Sequence, residues 1–413
     1  MQPHKPQVCN LSELVKKGGE NMREVVIVGG MRTAIGDFLG SLKDFSAVEL
    51  GTIAFKAALS KAGVDASLIE EVATGHVYQA GCKGNPGRQI TLGAGCPVET
   101  VSVTINQQCP SSMRAAEIIS QEIMLGKIDI GAAVGIESMT NVPFLLKKAR
   151  TGYKMGTVEL LDGMLYDALI DAFFNYHQGI TAENLAEKYD ITRQEQDELA
   201  LLSHQRACAA IKEGRLKDEI VPIEIKTKKG TVIFDTDEHP NPNTNMESLA
   251  RLSPAFKKGG TVTAGNASAI NDAACAVILM GADKAAELGL KPLARIVTTA
   301  SASVAPDIMG IGVVPAVNRA LKLANMKPDD IDVWEINEAF AAQFLACNRE
   351  LKLDMNKVNL NGSGISLGHP VGNTGLRLIL AVANEARRRN KRFGCAALCA
   401  GGGPAMATIV EVL

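Results

Sequence analysis

The 413-residue chain contains few aromatic side chains: phenylalanine, tyrosine and tryptophan make up 4% of it, with a single tryptophan. Glycine and alanine are abundant instead, which suits the close backbone packing of layered α/β folds. Lys and Arg number 43 against 45 Asp and Glu, so no excess of positive charge favours nucleic-acid binding. A stretch of about 18 apolar residues is also absent from the sequence, so no membrane span is expected.

The nine cysteines include no CxxC pair. A zinc site, or any other metal site, is therefore not expected in this chain. Free thiols are favoured over disulfides, which points to a reducing, cytoplasmic location. The first 22 residues are polar and lack the apolar core of a signal peptide, so they are predicted to be an N-terminal extension.

Two parts of the chain carry the same order of predicted strands and helices. The apolar run 24–28 predicts a strand, 46–62 predicts a helix that starts with a capping box of Ser46 and Glu49, and 110–126 predicts a second helix. The last third repeats this order from residue 294 onwards. Strands alternating with helices predict an α/β fold with mostly parallel strands. The predicted domains are an N-terminal extension (1–22), a first half (23–141 plus about 256–290), a covering loop domain (142–255) and a second half (291–413).

The segment between the halves is richer in charge and in loop signals. Within it, 180–214 has the spacing of one amphipathic helix that starts at Thr181 and Asn184. Segments that cover a core often hold substrate, so part of this insertion is expected to shape a pocket.

Cys109 stands in the run INQQCPSSMR, at the predicted start of a helix. The ordinary interpretation of one cysteine among nine is a buried, inert side chain. A helix N-terminus, however, carries partial positive charge, which is expected to lower the pKa of a thiol there and increase its thiolate fraction. Pro110 fits the first helical position, where a missing N–H costs nothing.

Three further polar residues lie at helix starts or strand ends of the second half. His369 begins the corresponding helix of the second half, in a run rich in glycine; Cys399 precedes three glycines; and Asn337 begins NEAF at the end of an apolar strand. Each has an ordinary explanation as a turn or a tight bend. Taken together, they lie where α/β proteins bind ligands and form one coherent candidate site.

These blocks resemble the signatures of the thiolase family: NQQCPSSMRA, GTVTAGNASAIND, NEAFAAQ, NGSGISLGHPVG and CAGGGPA, in order along the chain. The resemblance implies duplicated βαβαβαββ halves that form a five-layered α-β-α-β-α core. It also implies that Cys109 attacks the 3-oxo carbon of a 3-oxoacyl-CoA after His369 takes its proton. Cys399 then exchanges a proton with the released carbanion, and CoA accepts the acyl group from Cys109.

The resemblance also implies two oxyanion sites and a CoA channel. One oxyanion site uses His369 and a water held by Asn337, and the other uses the N–H groups of Cys109 and Gly401; each donor in such a site typically contributes about 3 kcal/mol. CoA enters as a co-substrate, and no metal is implied for this chain. The residues that match the CoA channel and acyl pocket are Leu169, His177, Gln178, Ser248, Ala255, Phe256, Ala264, Ser268, Met309, Ala339 and Phe340.

The sequence departs from the family pattern at a few positions. Pro110 and Ser112 replace small residues after the nucleophile, Asn241 replaces a basic residue near the adenine, and Gln178 replaces a methionine of the acyl pocket. A buried amide without a partner costs about 1–3 kcal/mol. We therefore expect an acyl group with a polar part, as in benzoylsuccinyl-CoA. The alternatives are an ordinary acetoacetyl-CoA thiolase and a Gln178 that bonds to a loop or to water.

The family implies a homo-oligomer, either a dimer or a dimer of dimers. Analogy with thiolases of the benzoylsuccinyl type adds a small zinc-binding OB-fold subunit as a candidate partner. Two rival classes share the architecture: a non-catalytic thiolase-like lipid carrier and a ketoacyl-synthase-type condensing enzyme. The presence of both Cys109 and His369 disfavours the carrier, and Cys399 before three glycines favours a degradative thiolase over the synthase.

Overall fold

A computed structural model describes residues 22–228 and 230–413. The predicted N-terminal extension, apart from Met22, lies outside the described residues, as does Cys9. Within the described part, no helix combines the length and the apolar character needed to cross a membrane.

The first half opens with a buried strand and then alternates helices and strands. Its elements are β1 (Val25–Thr33), β2 (Gly36–Asp37), α1 (Ala47–Ala62), β3 (Glu71–Gly75), α2 (Pro86–Gly93), β4 (Val101–Ile105), α3 (Ser111–Met124) and β5 (Ile130–Ser138). The predicted capping box is present at α1: Ser46 Oγ accepts the N–H of Glu49 at 3.2 Å, and the Glu49 carboxylate accepts the N–H of Ser46 at 2.8 Å. Gly63 ends the helix in the left-handed conformation that favours glycine.

The insertion forms short strands and helices. They are β6 (Phe144–Leu145), β7 (Leu161–Asp162), α4 (Gly179–Lys188), α5 (Arg193–Lys212), β8 (Ile220–Val221), β9 (Ile223–Thr227), β10 (Gly230–Phe234) and α6 (Met246–Ala250). The single helix predicted over 180–214 is therefore wrong. The chain turns at Asp190, whose φ is +49°, and Thr192 starts a new helix with its own capping box to Glu195.

The second half repeats the first. It follows β11 (Asn271–Gly281) and α7 (Ala282–Glu287), and it contains β12 (Ala294–Ser303), α8 (Val313–Ala324), β13 (Val333–Ile336), α9 (Ala341–Leu351), α10 (Gly364–Leu367), α11 (Val371–Arg388), β14 (Phe393–Cys399) and β15 (Pro404–Val412). The strands of the first half lie in the order β4-β3-β5-β11-β1, and those of the second in the order β13-β14-β15-β12. The predicted duplication is confirmed.

The strand directions differ from the prediction. Pairs β3–β4, β3–β5 and β13–β14 are parallel, but each half is completed by antiparallel strands, β11 and β1 in the first and β15 and β12 in the second. A mostly parallel sheet was therefore a wrong expectation. The physical reason is plain at β15, which follows β14 through a tight turn and needs no helical crossover.

Helices α3 and α11 lie between the two halves. Apolar side chains from both helices, such as Ile119 and Leu380, share one buried cluster with Val277 of β11 and Val410 of β15. Helices α1 and α2 cover the outer face of the first half, and α8 and α9 cover that of the second. This is the predicted five-layered α-β-α-β-α arrangement. The two halves join along β1 and β12 through only two residue pairs, Val26–Arg295 and Ile27–Ala294.

Candidate active site

Cys109 lies in a tight loop between β4 and the start of α3. Gln108, just before it, has a φ of +56°, which is uncommon for a residue other than glycine. Short-range hydrogen bonds hold this conformation: the N–H of Gln108 donates to Asn106 Oδ1 at 2.9 Å, and the N–H of Ser111 donates to the Gln108 carbonyl at 3.0 Å. The Ser111 hydroxyl also accepts the N–H of Gln107 at 2.9 Å. The loop therefore presents the cysteine in one fixed direction.

The Cys109 side chain is partly buried. Burial raises its pKa to about 12, although the backbone N–H groups of Gly401 and of Cys109 itself act in the opposite direction. The net shift of the Cys109 pKa is therefore opposite to the expected lowering, because burial outweighs the backbone N–H groups. Pro110 occupies the cap position and has no N–H, and the N–H of Ser111 is used by the Gln108 carbonyl. Activation of the thiol requires a base.

Ser112 connects the starts of the two central helices. Its hydroxyl accepts the N–H of Leu376 at 2.9 Å and donates to the Asn373 carbonyl at 3.1 Å. At Gly75 an added Cβ would lie 2.2 Å from the Ser112 nitrogen, so only glycine fits there. The serine that departs from the family pattern thus links the nucleophile helix α3 to α11.

His369 precedes α11 as Cys109 precedes α3, and its imidazole has a defined tautomer. Nδ1 lies 2.7 Å from Thr374 Oγ1, whose only proton is donated to the Pro370 carbonyl at 3.1 Å. Thr374 therefore accepts from Nδ1–H, and Nε2 keeps its lone pair. The backbone N–H of His369 donates to Asn271 Oδ1 at 2.9 Å. Burial, and secondarily the positive charge of Arg377, lowers the pKa of His369 to about 3.

Asn337 packs against this imidazole. Its Nδ2 lies 3.4 Å from Nε2 and 3.5 Å from Nδ1 of His369, so the amide faces the ring. Its buried Oδ1 has no hydrogen-bond partner among the described residues. The position suits an amide that holds a small polar ligand or a water beside the histidine.

Cys399 ends β14 and is followed by a glycine turn. The thiol is 1% exposed, and burial, with the neighbouring Cys109 sulfur as the next cause, raises its pKa well above the ordinary value. The two sulfurs therefore lie close enough to interact. At Gly401 an added Cβ would lie 2.8 Å from Gln178 Nε2, so a side chain there would collide with that amide.

A cavity of about 560 Å³ contains His369 in its wall. Of the predicted channel residues, seven line it: Leu169, His177, Ala255, Phe256, Ala264, Ser268 and Phe340. His177 stacks on Phe256 at 4.4 Å between ring centroids, its Nδ1 accepts the N–H of Gly179 at 3.0 Å, and burial lowers its pKa. The wall is apolar apart from a few directed polar groups, as expected for a ligand pocket.

A second cavity of about 580 Å³ continues outwards. It contains Ser248 and Asn241, and it shares Asp37, His239 and Ala264 with the first. Three predicted pocket residues, Gln178, Met309 and Ala339, are buried but are absent from both walls. The Ala339 carbonyl accepts the N–H of Ser268 at 2.9 Å and so supports the wall from behind.

Several residues of the site escaped the sequence analysis. Glu137, at the end of β5, accepts the N–H of Val77 at 3.1 Å, of Tyr78 at 3.2 Å and of Gly372 at 2.9 Å. It also lies 3.2 Å from His76 Nε2. A polar residue at the end of an apolar strand was the signal that identified Asn337, and the same rule applies to Glu137. Asn271 and Thr374 carried no comparable signal.

The described residues contain no group of three side chains suited to a metal ion. Family models match almost the whole described chain: the thiolase N-terminal domain over residues 25–283 and the thiolase C-terminal domain over residues 290–412. The chain belongs to the thiolase family. It is therefore an acyltransferase of the thiolase class.

This thiolase has curated relatives of nearly the same length. It is 49% identical to an acetyl-CoA acetyltransferase of Syntrophomonas wolfei, over 95% of this chain and 100% of the relative. It is 46% identical to an acetyl-CoA acetyltransferase of Escherichia coli, again over 95% and 100%. The structure of human mitochondrial 3-ketoacyl-CoA thiolase superimposes with a TM-score of 0.93 at 41% identity, over 95% of this chain and 100% of that one.

Proposed function

We propose that this thiolase is an acetyl-CoA acetyltransferase, which interconverts acetoacetyl-CoA plus CoA with two molecules of acetyl-CoA. The names of its relatives support this reaction better than the cleavage of benzoylsuccinyl-CoA expected from Gln178. The zinc-binding OB-fold subunit was inferred only together with that substrate, and we do not retain it.

The proposal depends most on one observation. The backbone N–H of Gly401 is hydrogen-bonded to the Cys109 sulfur, and the Cys399 sulfur is a neighbour of Cys109. Together with a neutral histidine in the same site, this gives a nucleophile, two possible proton carriers and hydrogen-bond donors. These are the groups that acyl transfer through a thioester requires.

In the cleavage direction, Nε2 of His369 takes the proton of the Cys109 thiol as the sulfur attacks the keto carbon of acetoacetyl-CoA. The bond between C2 and C3 then breaks, leaving an acetyl group on the sulfur and an acetyl-CoA carbanion. The Cys399 thiol, kept protonated by its burial, gives its proton to that carbanion. One molecule of acetyl-CoA leaves.

In the second step, the Cys399 thiolate takes the proton of the CoA thiol. The CoA sulfur attacks the acetyl thioester, and the second acetyl-CoA forms as Cys109 leaves and regains its proton from His369. The acetyl oxygen, which carries the negative charge in both tetrahedral intermediates, is assigned to the N–H groups of Cys109 and Gly401. The thioester oxygen of the acetyl-CoA carbanion is assigned to His369 and to a water held by Asn337, whose Oδ1 lacks a partner among the described residues.

The outer cavity and the inner cavity together provide a channel in which CoA would run from the surface to His369 in the inner wall. Ser248 and Asn241 would lie near its nucleotide end, and Ser268, His177 and Phe256 near its thiol end. Gln178 packs over Gly401, so its amide supports the oxyanion donors rather than the acyl group. Its buried Oε1 has no partner among the described residues.

We also propose a homo-oligomer. β4 is the last strand of its sheet, and its Val101 and Val103 side chains are exposed. An exposed apolar edge strand of this kind is a template for pairing with another chain. Light scattering of the purified protein tests this, and a monomeric mass would contradict it.

The proposed reaction is tested by following acetoacetyl-CoA cleavage in the presence of CoA. Cys109→Ala is expected to lower kcat by on the order of 10⁴-fold, because no covalent intermediate can form. Cys208→Ala, at a half-buried cysteine on α5 that lines neither cavity, is the matched control and should retain the wild-type rate. A wild-type enzyme that turns over a carboxylated 3-oxoacyl-CoA far faster than acetoacetyl-CoA would overturn the substrate assignment.

A further inference from the structure

A third cavity lies outside the proposed CoA channel. It has a volume of about 470 Å³, which is within the usual range for small-molecule pockets, and it shares no lining residue with the inner or the outer cavity. Segments of both halves and of the insertion form its wall. The charged side chains of this wall are mostly basic: Lys61, Arg215, Lys291, Arg387 and Arg388, against Asp218 and Glu219.

Two of these arginines and the buried glutamate already have protein partners. Arg388 Nη2 donates to the Arg215 carbonyl at 2.8 Å, and both guanidinium groups form ion pairs with nearby glutamates. The Glu219 carboxylate accepts from Arg32 Nε at 2.8 Å and from Asn384 Nδ2 at 3.0 Å. These side chains therefore build the wall of the cavity.

The other three cations have no such partner. Lys61, Lys291 and Arg387 are exposed and form no ion pair or side-chain hydrogen bond with the described part of the chain. Lys61 and Arg387 lie in the last turns of α1 and α11, where a cation also interacts favourably with the helix end. Lys291 lies in the link before β12, so this explanation does not apply to it. Like charges around one cavity repel one another, and an anion among them would relieve that repulsion.

An open strand edge forms another part of the wall. On the side of β1 away from β11, β12 pairs with residues 26–27 and β8 pairs with residues 32–33. Residues 28–31 lie between these pairs and have no strand partner on that side within the described chain. Residues 28–30 line the cavity. Backbone N–H groups at the edge of a sheet can donate to an anion, so this edge adds neutral donors to the three cations.

We infer that this cavity binds a compact anion of the diphosphate class, held by Lys61, Lys291 and Arg387 beside the free edge of β1. Lysine and arginine side chains suit phosphate groups, and three of them match an anion with more than one negative group. The described wall contains no aromatic ring, so it offers no surface on which a nucleobase would stack. The diphosphate group itself is therefore the part that the cavity recognises.

The cavity lies where the two halves meet. Lys61 belongs to the first half and Arg387 to the second, and the two halves join nearby through only two residue pairs of β1 and β12. An anion in contact with both side chains would hold the halves together. Helix α11 runs from the loop of His369 to this cavity, and its 18 residues span roughly 27 Å. The anion would therefore not touch the site of acyl transfer.

The test is calorimetric titration with inorganic pyrophosphate at one pH and one ionic strength. Lys61→Gln, Lys291→Gln and Arg387→Gln should each raise Kd about tenfold, because each removes one charge-assisted hydrogen bond to the ligand. Lys291→Arg keeps the charge and should bind about as tightly as the wild type. All three positions are exposed, so the variants are expected to fold.

The matched control is Lys322→Gln. Lys322 is an exposed lysine in the last turn of α8, as Lys61 is in α1, but it lines none of the three cavities. Its replacement should leave Kd unchanged. Thermal unfolding gives a second readout, because a ligand that binds only the folded state stabilises it. Pyrophosphate should raise the Tm of the wild type and of Lys322→Gln, but not that of the variant that combines all three glutamine substitutions.

The inference is overturned if millimolar pyrophosphate does not bind the wild type, or if the triple variant binds it as tightly as the wild type does. An equal loss of affinity in Lys322→Gln and Lys61→Gln would also contradict it, because net charge alone would then explain the binding. ADP should bind the wild type about as tightly as pyrophosphate. Much tighter binding of ADP that is lost in the triple variant would contradict recognition of the diphosphate group alone.

Discussion

The loops that carry Cys109 and His369 stand at equivalent places in the two halves, each just before a proline that caps a central helix. They are held in different ways. The cysteine loop is fixed by hydrogen bonds within residues 106–111, whereas the histidine loop depends on Asn271 and Glu137, which lie more than 90 residues away. The loop of Cys109 is therefore held by hydrogen bonds among its own residues, whereas the loop of His369 is held by residues outside the second half.

Burial acts on the two reactive groups in opposite directions. It raises the pKa of the thiol to about 12 and lowers that of the imidazole to about 3. Both changes have one cause, since removal from water penalises whichever form is charged. We therefore expect both groups to be uncharged before substrate binds.

The largest expected effect on this contrast is that of His369→Asn. The variant lacks the proton acceptor that a neutral thiol needs, so kcat should fall by on the order of 10³-fold. Steady-state cleavage of acetoacetyl-CoA measures this. A near-normal rate would mean that Cys109 reacts as a preformed thiolate and that the two loops are not an acid and a base.

The state of the thiol can also be read directly from alkylation by iodoacetamide. Because only the thiolate reacts and the pKa is about 12, the rate at Cys109 should rise about 10²-fold from about pH 8 to pH 10. Mass spectrometry of the modified peptide gives the rate. A plateau already near neutral pH would show that the helix start, and not burial, controls the sulfur.

Gly401→Ala tests the backbone N–H that the second half donates to the Cys109 sulfur. The added methyl group would lie 2.8 Å from Gln178 Nε2, which should displace the N–H from the sulfur and lower kcat about tenfold. Adding Gln178→Ala removes the collision and should recover most of the loss. If the double variant is no faster than Gly401→Ala, the effect comes from backbone strain and not from that contact.

The smallest effect should come from the serines after Cys109. Ser112→Ala leaves the N–H of Leu376 without its acceptor between the two helices and should reduce the free energy of unfolding by about 1–2 kcal/mol. Ser111→Ala, a matched change at an equally buried serine that bonds only within its own loop, should cost less. Urea unfolding of both variants compares them, and an equal loss would contradict the bridging role of Ser112.

Local signals in the sequence predicted local structure well. The capping box at Ser46, the helix starts after Cys109 and His369, and the repeated order of elements all follow from residues within a few positions of one another. The break at Asp190 was missed because the apolar spacing continues across it.

Glu137 follows the rule that identified Asn337 and was overlooked. The contact of Thr374 with His369, five residues before it, depends on the exact geometry at the start of α11. Asn271 could not be predicted, because only the docking of the two halves brings it to His369.

The narrow join between β1 and β12 has a consequence for how this protein can be divided. The halves share one central layer, α3 and α11, whose apolar side chains are buried against both sheets. Neither polypeptide, cut between residues 283 and 290, would have a finished interior. The first fragment would carry Cys109 and the second would carry His369 and Cys399, and each would expose a large apolar face. The fragments should therefore be insoluble when produced singly and recover catalysis only when made together.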